Sequence, residues 1–167
     1  MEKLLQIHNM TKIFGEGTIN EKTAISDLTL ELSDGDFVTV IGNNGAGKST
    51  LLNAIAGVFP VDRGNIILDG NDITKLPEYK RARYMGRVFQ DPLKGTAFDM
   101  TIEENLAIAA AKNKPRGLRP GITKADRQAF RERLAVLGMG LEDKMTQKVK
   151  LLSGGQRQAL TLFMAVI

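Results

Sequence analysis

Hydrophobic and polar positions along the chain predict strands first and helices later. Leu4 to Phe14 and Ala24 to Leu32 alternate roughly between apolar and polar residues, as half-buried strands do. The stretch between them, GEGTINEK, is polar turn material, and SDGD at Ser33 to Asp36 is a second turn. Phe37 to Ile41 (FVTVI) is short, β-branched and almost wholly apolar, which predicts a strand buried on both faces of a parallel sheet. A helix follows over Lys48 to Ala56 and stops at Gly57. Gly64 to Gly70 reads as a short strand between turn glycines, Pro77 to Arg83 as a short helix, and Tyr84 to Pro92 as a strand ending in a loop. Thr101 caps a helix over IEENLAIAAA, with Glu103 and Glu104 in the turn where the helix dipole favours acids. Two prolines and two glycines exclude regular structure from Lys112 to Thr123, and a further helix is expected from Lys124 to Leu137, ending at Gly138. The pattern is α/β, without an internal repeat.

Composition narrows the class. With 167 residues, 43% hydrophobic and 25% charged, the chain has the make-up of one ordinary globular domain. It has no cysteine, so disulfides and thiolate metal sites are excluded. No apolar run approaches the roughly 20 residues that span a bilayer, and nothing after Met1 reads as an export leader. The net charge of +4 is unevenly spread, because eight basic residues lie between Lys112 and Arg133 against Asp126 and Glu132. That segment reads either as a solvated loop and helix face or as a surface for anionic headgroups or an acidic partner. Apart from Phe130 it has no aromatic residue on which bases could stack, which argues against nucleic acid.

Two stretches carry chemistry. Gly42, Asn43, Asn44, Gly45, Ala46, Gly47, Lys48, Ser49 and Thr50 have the spacing G-x-x-x-x-G-K-S/T, after a predicted strand and at the start of a helix. Glycines let consecutive backbone N–H groups curl around phosphate oxygens, and the helix start adds partial positive charge. Lys48 then reaches the β- and γ-phosphates of a nucleotide, and the Ser49 hydroxyl serves Mg²⁺. A ligand-free glycine turn seldom carries Lys-Ser at this offset. In LSGGQ, Leu152 to Gln156, Ser153 stands where an N-cap belongs, with Gln156 in capping-box register. Gly154 and Gly155 are poor helix formers, and they suit a helix start that an anion approaches closely. Read alone, the pentapeptide could equally be a capped helix with a loose beginning.

The phosphate loop, Gln90 at the end of a predicted strand, and LSGGQ occur in that order. Together they resemble the ATP-binding subunit of an ABC transporter over essentially the whole chain. The resemblance implies a P-loop NTPase (RecA-like) core with an antiparallel β subdomain (residues 1–90), a Q-loop and helical subdomain (91–152), and a signature helix (153–167), incomplete at its C-terminus. It implies that Ser153, Gly154, Gly155 and Gln156 bind the ATP held by the phosphate loop of a second, head-to-tail copy. Phe14 matches the aromatic that stacks on adenine, although a core residue at a strand end fits it too. Gln90 matches the glutamine that touches Mg²⁺ and the attacking water. Lys48, Gln90 and Ser153 are then the catalytic candidates, with Ser49 and Gln90 at the metal. The segment Gln90 to Asp99 would face a separate membrane permease, on the cytoplasmic side of the membrane.

The sequence also departs from the pattern. Leu162, Phe163 and Met164 stand where the family usually has small residues and a second arginine. No apolar run ends in Asp-Glu, Asp69 lacks a following Glu and precedes the signature, and His8 in the first strand reads as structural rather than as the switch histidine. The resemblance implies that Phe37 to Ile41 and Tyr84 to Phe89 are not neighbours, since in the family two further strands lie between them, and the departures predict that Ala159 to Ile167 lacks a cover. They also predict that the 167 residues do not hydrolyse ATP alone. A soluble ABC-type ATPase of DNA repair or translation is the alternative from a different class. A P-loop small-molecule kinase is another, but it has no use for LSGGQ.

Overall fold

The computed structural model describes residues 3–89, 91–113 and 121–167. These form two compact units, Met1–Tyr84 and Met85–Ile167.

The first unit is built on a four-stranded sheet of order β2-β1-β3-β4. Strand β1 (Lys3–Phe14) lies between β2 (Lys22–Ser33) and β3 (Arg63–Leu68), antiparallel to both, with Ile7 opposite Leu30 on one side and Ile66 on the other. The two-residue β4 (Asn71–Asp72) closes a hairpin on β3. The alternation that predicted β1 is interrupted at Asn9, where the register to both neighbours shifts. Asn9 there has φ of 49° and donates from Nδ2 to Asp27 Oδ1 at 2.8 Å. The bulge resets the pleat, so that Leu5 and Ile7 before it and Met10 and Lys12 after it are all buried. With Ile66, Leu68 and Ile73, and with Leu51 and Ala54 of helix α1 (Lys48–Ala56), they make the core of this unit.

Arg81, at the end of the short helix α2 (Glu78–Arg81), is 1% exposed. Its guanidinium donates to the carbonyls of Ala54 and Ile55 in the last turn of α1, and to those of Leu76 and Thr74, at 2.7 to 2.8 Å. A cation therefore adds donors at the negative end of the helix, where the Gly57 N–H already reaches Ala54 O at 3.1 Å.

The second unit packs three helices, α3 (Ile102–Ala110), α4 (Lys124–Ala135) and α5 (Gly154–Val166), around Ile102, Leu106, Phe130, Leu134, Leu141, Met145, Val149, Leu152, Leu160 and Phe163. All three helices start on capping boxes: Thr101 with Glu104, Thr123 with Asp126, and Ser153 with Gln156. The segment entering α3 pairs with the segment approaching α5, through Lys150 N–H to Phe98 O, Val149 N–H to Met100 O and Ile102 N–H to Gln147 O, at 3.0 to 3.1 Å. Arg127 grips Glu103 with two bonds, of 2.6 and 3.1 Å, and ties α4 to α3.

Two expected strands do not form. Phe37 to Ile41 and Tyr84 to Phe89 lie outside the sheet and carry no strand pairing, and Phe37 is 94% and Ile41 91% exposed. A strand buried on both faces needs a partner on each edge and a layer on each face, and the described residues supply neither to these segments. The apolar run Ala159 to Ile167 is covered in part. Leu160 and Phe163 are buried in the second unit's core, while Leu162 and Val166 point outward.

Candidate functional site

The phosphate-loop residues lie together in one turn. Gly45 and Gly47 have φ of 87° and 83°, so the chain bends through left-handed conformations into α1. At Gly47 a side chain is excluded twice, by that φ and because a Cβ would stand 2.7 Å from the Ala24 carbonyl oxygen of β2. Lys48 arches back over the loop and donates from Nζ to Gly42 O at 2.7 Å and Asn43 O at 2.8 Å. Ala46 N–H closes on Asn43 O at 3.1 Å, and the first bond of the helix runs from Leu51 N–H to Gly47 O. Gly47 offers no side-chain cap and the first turn of α1 has no acid, so the amides around Lys48, Ser49 and Thr50 remain donors in search of an anion. Gly42, Asn43, Asn44, Gly45, Ala46 and Ser49 are exposed. The set fits a polyphosphate. Among the described residues no cluster of three His, Cys, Asp or Glu could hold a metal.

The signature residues lie together at the start of α5. Ser153 has an extended backbone, φ −63° and ψ 161°, and its Oγ accepts the Gln156 N–H at 3.3 Å. Ser153, Gly154 and Gly155 are exposed. Gln156 is occupied within its own unit: Oε1 accepts the Ser153 N–H, and Nε2 donates to the Met139 carbonyl at 3.0 Å.

Two helix starts, each carrying its own motif, set the terms for comparison with known proteins. The ABC transporter family model matches residues 25–167. The chain belongs to that family. It is 41% identical over 162 residues to the tyrosine transport ATP-binding protein of Clostridioides difficile, covering 97% of this chain and 64% of that one. It is 36% identical over 166 residues to the spermidine/putrescine import ATP-binding protein PotA of Aggregatibacter actinomycetemcomitans, 98% of this chain and 40% of the relative. The chain thus spans less than two thirds of the length of these relatives. Among solved structures, a nucleotide-free ATP-binding cassette of an ABC transporter superposes with a TM-score of 0.73 at 28% identity, over 99% of this chain and 65% of that one. The ADP conformation of such a cassette gives 0.76 at 26% identity. The fold is that of the ABC cassette, a P-loop NTPase with an antiparallel β subdomain and a helical subdomain.

Within that cassette fold, Phe14 is not a core residue, since it is 39% exposed at the end of β1. Its ring meets Phe59 edge-on, with centroids 5.2 Å apart, and the Lys12 ammonium sits 5.3 Å from its centroid. Lys12 is only 7% exposed and is held by Asp62, whose Oδ1 accepts its ammonium at 3.0 Å and whose Oδ2 accepts the Ile13 N–H at 2.6 Å. Partial burial works against charge on Asp62, but the Ile13 N–H and the Lys12 ammonium outweigh it and hold the carboxyl below its ordinary range. Sequence reasoning missed Asp62 and Phe59, which sit in an aperiodic turn, VFPVD, with no motif to mark them.

Gln90 lies outside the described residues. Just after it, Asn105 on α3 is buried and clamps Ala97, accepting its N–H at 2.7 Å and donating to its carbonyl at 3.0 Å. Arg157 stacks on Phe98 at 4.6 Å and donates to Leu152 O, and Lys150 pairs with Asp99 at 2.7 Å. The end of the Gln90 to Asp99 segment is therefore fastened to the signature helix and its approach. None of these clamps has a sequence signature. Among the described residues no helix is long and apolar enough to cross a membrane.

Proposed function

We propose that this chain is the nucleotide-binding part of a transporter's ATP-binding subunit, holding Mg-ATP on Gly42 to Thr50. The observation that carries this reading is the phosphate loop, with left-handed glycines, an uncapped α1 and the Lys48 ammonium drawn over the turn. Lys48 exchanges two neutral carbonyls for the β- and γ-phosphates, a stronger, charge-assisted pairing. Bound Mg²⁺ neutralises phosphate charge; Ser49 and Gln90 are the residues that would hold it. Phe14 offers the adenine a ring face, stiffened by Phe59 and Lys12.

Ser153, Gly154 and Gly155 complete the site of a second copy in a head-to-tail dimer, because each half-site alone leaves its donors open. The segment Gln90 to Asp99 meets a separate membrane-embedded permease, which sets the subunit on the cytoplasmic face of the membrane. Nucleic acid has no part in this reading. The relatives named for tyrosine transport and spermidine/putrescine import support uptake of small organic solutes as the purpose. Hydrolysis needs an oriented water, and with no apolar run ending in Asp-Glu to orient one, this chain alone would bind ATP without turning it over.

Titration with a fluorescent ATP analogue tests the binding site. Saturable, Mg²⁺-dependent binding that Lys48→Ala removes is expected, and equal affinity in the two proteins sinks the reading. Phosphate release by the 167-residue chain should stay at background. A rate that Lys48→Ala abolishes overturns that part.

A further inference from the structure

Lys12 is a buried cation with few oxygens around it. It occupies an inward position of β1, two residues after the buried Met10, and is itself 7% exposed. An apolar side chain would fill such a place at a lower desolvation cost. Asp62 Oδ1 is its one hydrogen-bond partner among the described residues, so two of its three N–H bonds have no oxygen acceptor there. Two aromatic rings stand in that place. The ammonium lies 5.3 Å from the Phe14 centroid and 5.5 Å from the Phe59 centroid, and the two rings meet at 80° with centroids 5.2 Å apart. The cation therefore fills the corner between the rings, within reach of the π density of both.

One residue builds this corner. Asp62 bonds to three successive residues of β1: its N–H donates to Thr11 O at 3.0 Å, its Oδ1 accepts from Lys12, and its Oδ2 accepts the Ile13 N–H at 2.6 Å. The turn that carries Phe59 is thereby fixed against the strand end that carries Phe14. Phe14 is 39% exposed, so the Lys12 ammonium lies on the enclosed side of its ring and solvent reaches the other.

We propose that Lys12 is a positioning residue that sets the base preference of the nucleotide site. Its charge draws the π density of Phe14 toward the enclosed side, and the open side then favours an electron-rich, two-ring base over a pyrimidine. Lys12 touches no nucleotide and acts only through the ring. This rests on the reading of Phe14 as the platform for adenine.

Isothermal titration calorimetry with Mg-ATP, Mg-UTP and inorganic tripolyphosphate separates the base from the phosphates. Lys12→Met keeps the length of the side chain and removes its charge. It should weaken Mg-ATP about fivefold and Mg-UTP about twofold, and leave tripolyphosphate unchanged. In a Phe14→Leu background the same change should have no further effect on Mg-ATP, because the ring it acts through is gone. Lys12→Met combined with Asp62→Asn removes the pair without stranding a carboxylate, and it carries the same comparison if Lys12→Met alone does not fold. Unchanged Mg-ATP affinity, or equal losses for Mg-ATP and tripolyphosphate, overturns the proposal. A loss that persists in the Phe14→Leu background overturns it too. A Phe14→Leu protein that binds Mg-ATP as the wild type does removes the platform reading first, and the role of Lys12 with it.

Discussion

Two helix starts in this chain carry a motif, and they are made by different means. The start of α1 has no side-chain cap, a glycine forced into the left-handed region, and a lysine bent over its own loop. The start of α5 has a full Ser153–Gln156 capping box, glycines in ordinary helical backbone, and an amide brace to Met139. What precedes them differs more. Phe37 to Ile41 runs into α1 unpaired and exposed, whereas Met145 to Lys150, on the way to α5, is paired to the segment entering α3. The contrast teaches that a turn can take shape from local rules while the apolar segment before it joins no sheet. The first helix start is an uncapped glycine turn; the second is a capped and braced one.

The sharpest way to break the comparison is to remove the chemistry of each half-site in turn. Lys48→Ala should lower Mg-ATP affinity by about a hundredfold, roughly 3 kcal/mol, by deleting the fixed cation at the phosphates. Ser153→Arg should leave that affinity intact and abolish ATP-dependent pairing in light scattering. If Ser153→Arg instead weakens nucleotide binding in the unpaired protein, the division of labour is wrong.

Glycine substitutions give a smaller effect of opposite sign. Gly47→Ala meets both a left-handed φ and the Ala24 carbonyl, and should cost about 2 kcal/mol in chemical denaturation along with nucleotide binding. Gly154→Ala meets nothing within 4 Å in an ordinary conformation, and should stabilise the unpaired protein by about 0.5 kcal/mol. Equal effects from the two would erase the distinction between a forced turn and a free one.

Asp62 gives the smallest effect and bears only on the unit that holds the phosphate loop. Its folded pKa is depressed below the ordinary 3.8, so its stabilisation is present above that value and is lost as pH falls through the folded one. Asp62→Asn should be less stable than wild type at pH 7, and the gap should narrow as pH drops below about 4. A gap that stays constant from pH 7 to pH 2 removes the Lys12–Asp62–Ile13 arrangement as a source of stability.

Local signals were readable in the residues themselves. The bounds of α1, Lys48 to Ala56, follow from one glycine at each end, and the caps of α3 and α5 from Thr101 with Glu104 and Ser153 with Gln156. Each depends on contacts within four residues, so composition and spacing suffice. The alternation in β1 and β2 was equally plain, though not the bulge at Asn9 that keeps both halves of β1 facing the core. The structure supplied what depends on distant residues: Arg81 under the end of α1, Asp62 and Phe59 around Lys12 and Phe14, Asn105 and Arg157 on the segment after Gln90, and Met139 behind the signature. Those side chains meet their partners across long stretches of chain, and no periodicity records such a meeting. Phe37 to Ile41 marks the boundary most clearly. Its residues determine that it is apolar and suited to a β conformation, but a strand is a set of hydrogen bonds to a neighbour, and only the tertiary structure decides whether that neighbour is there.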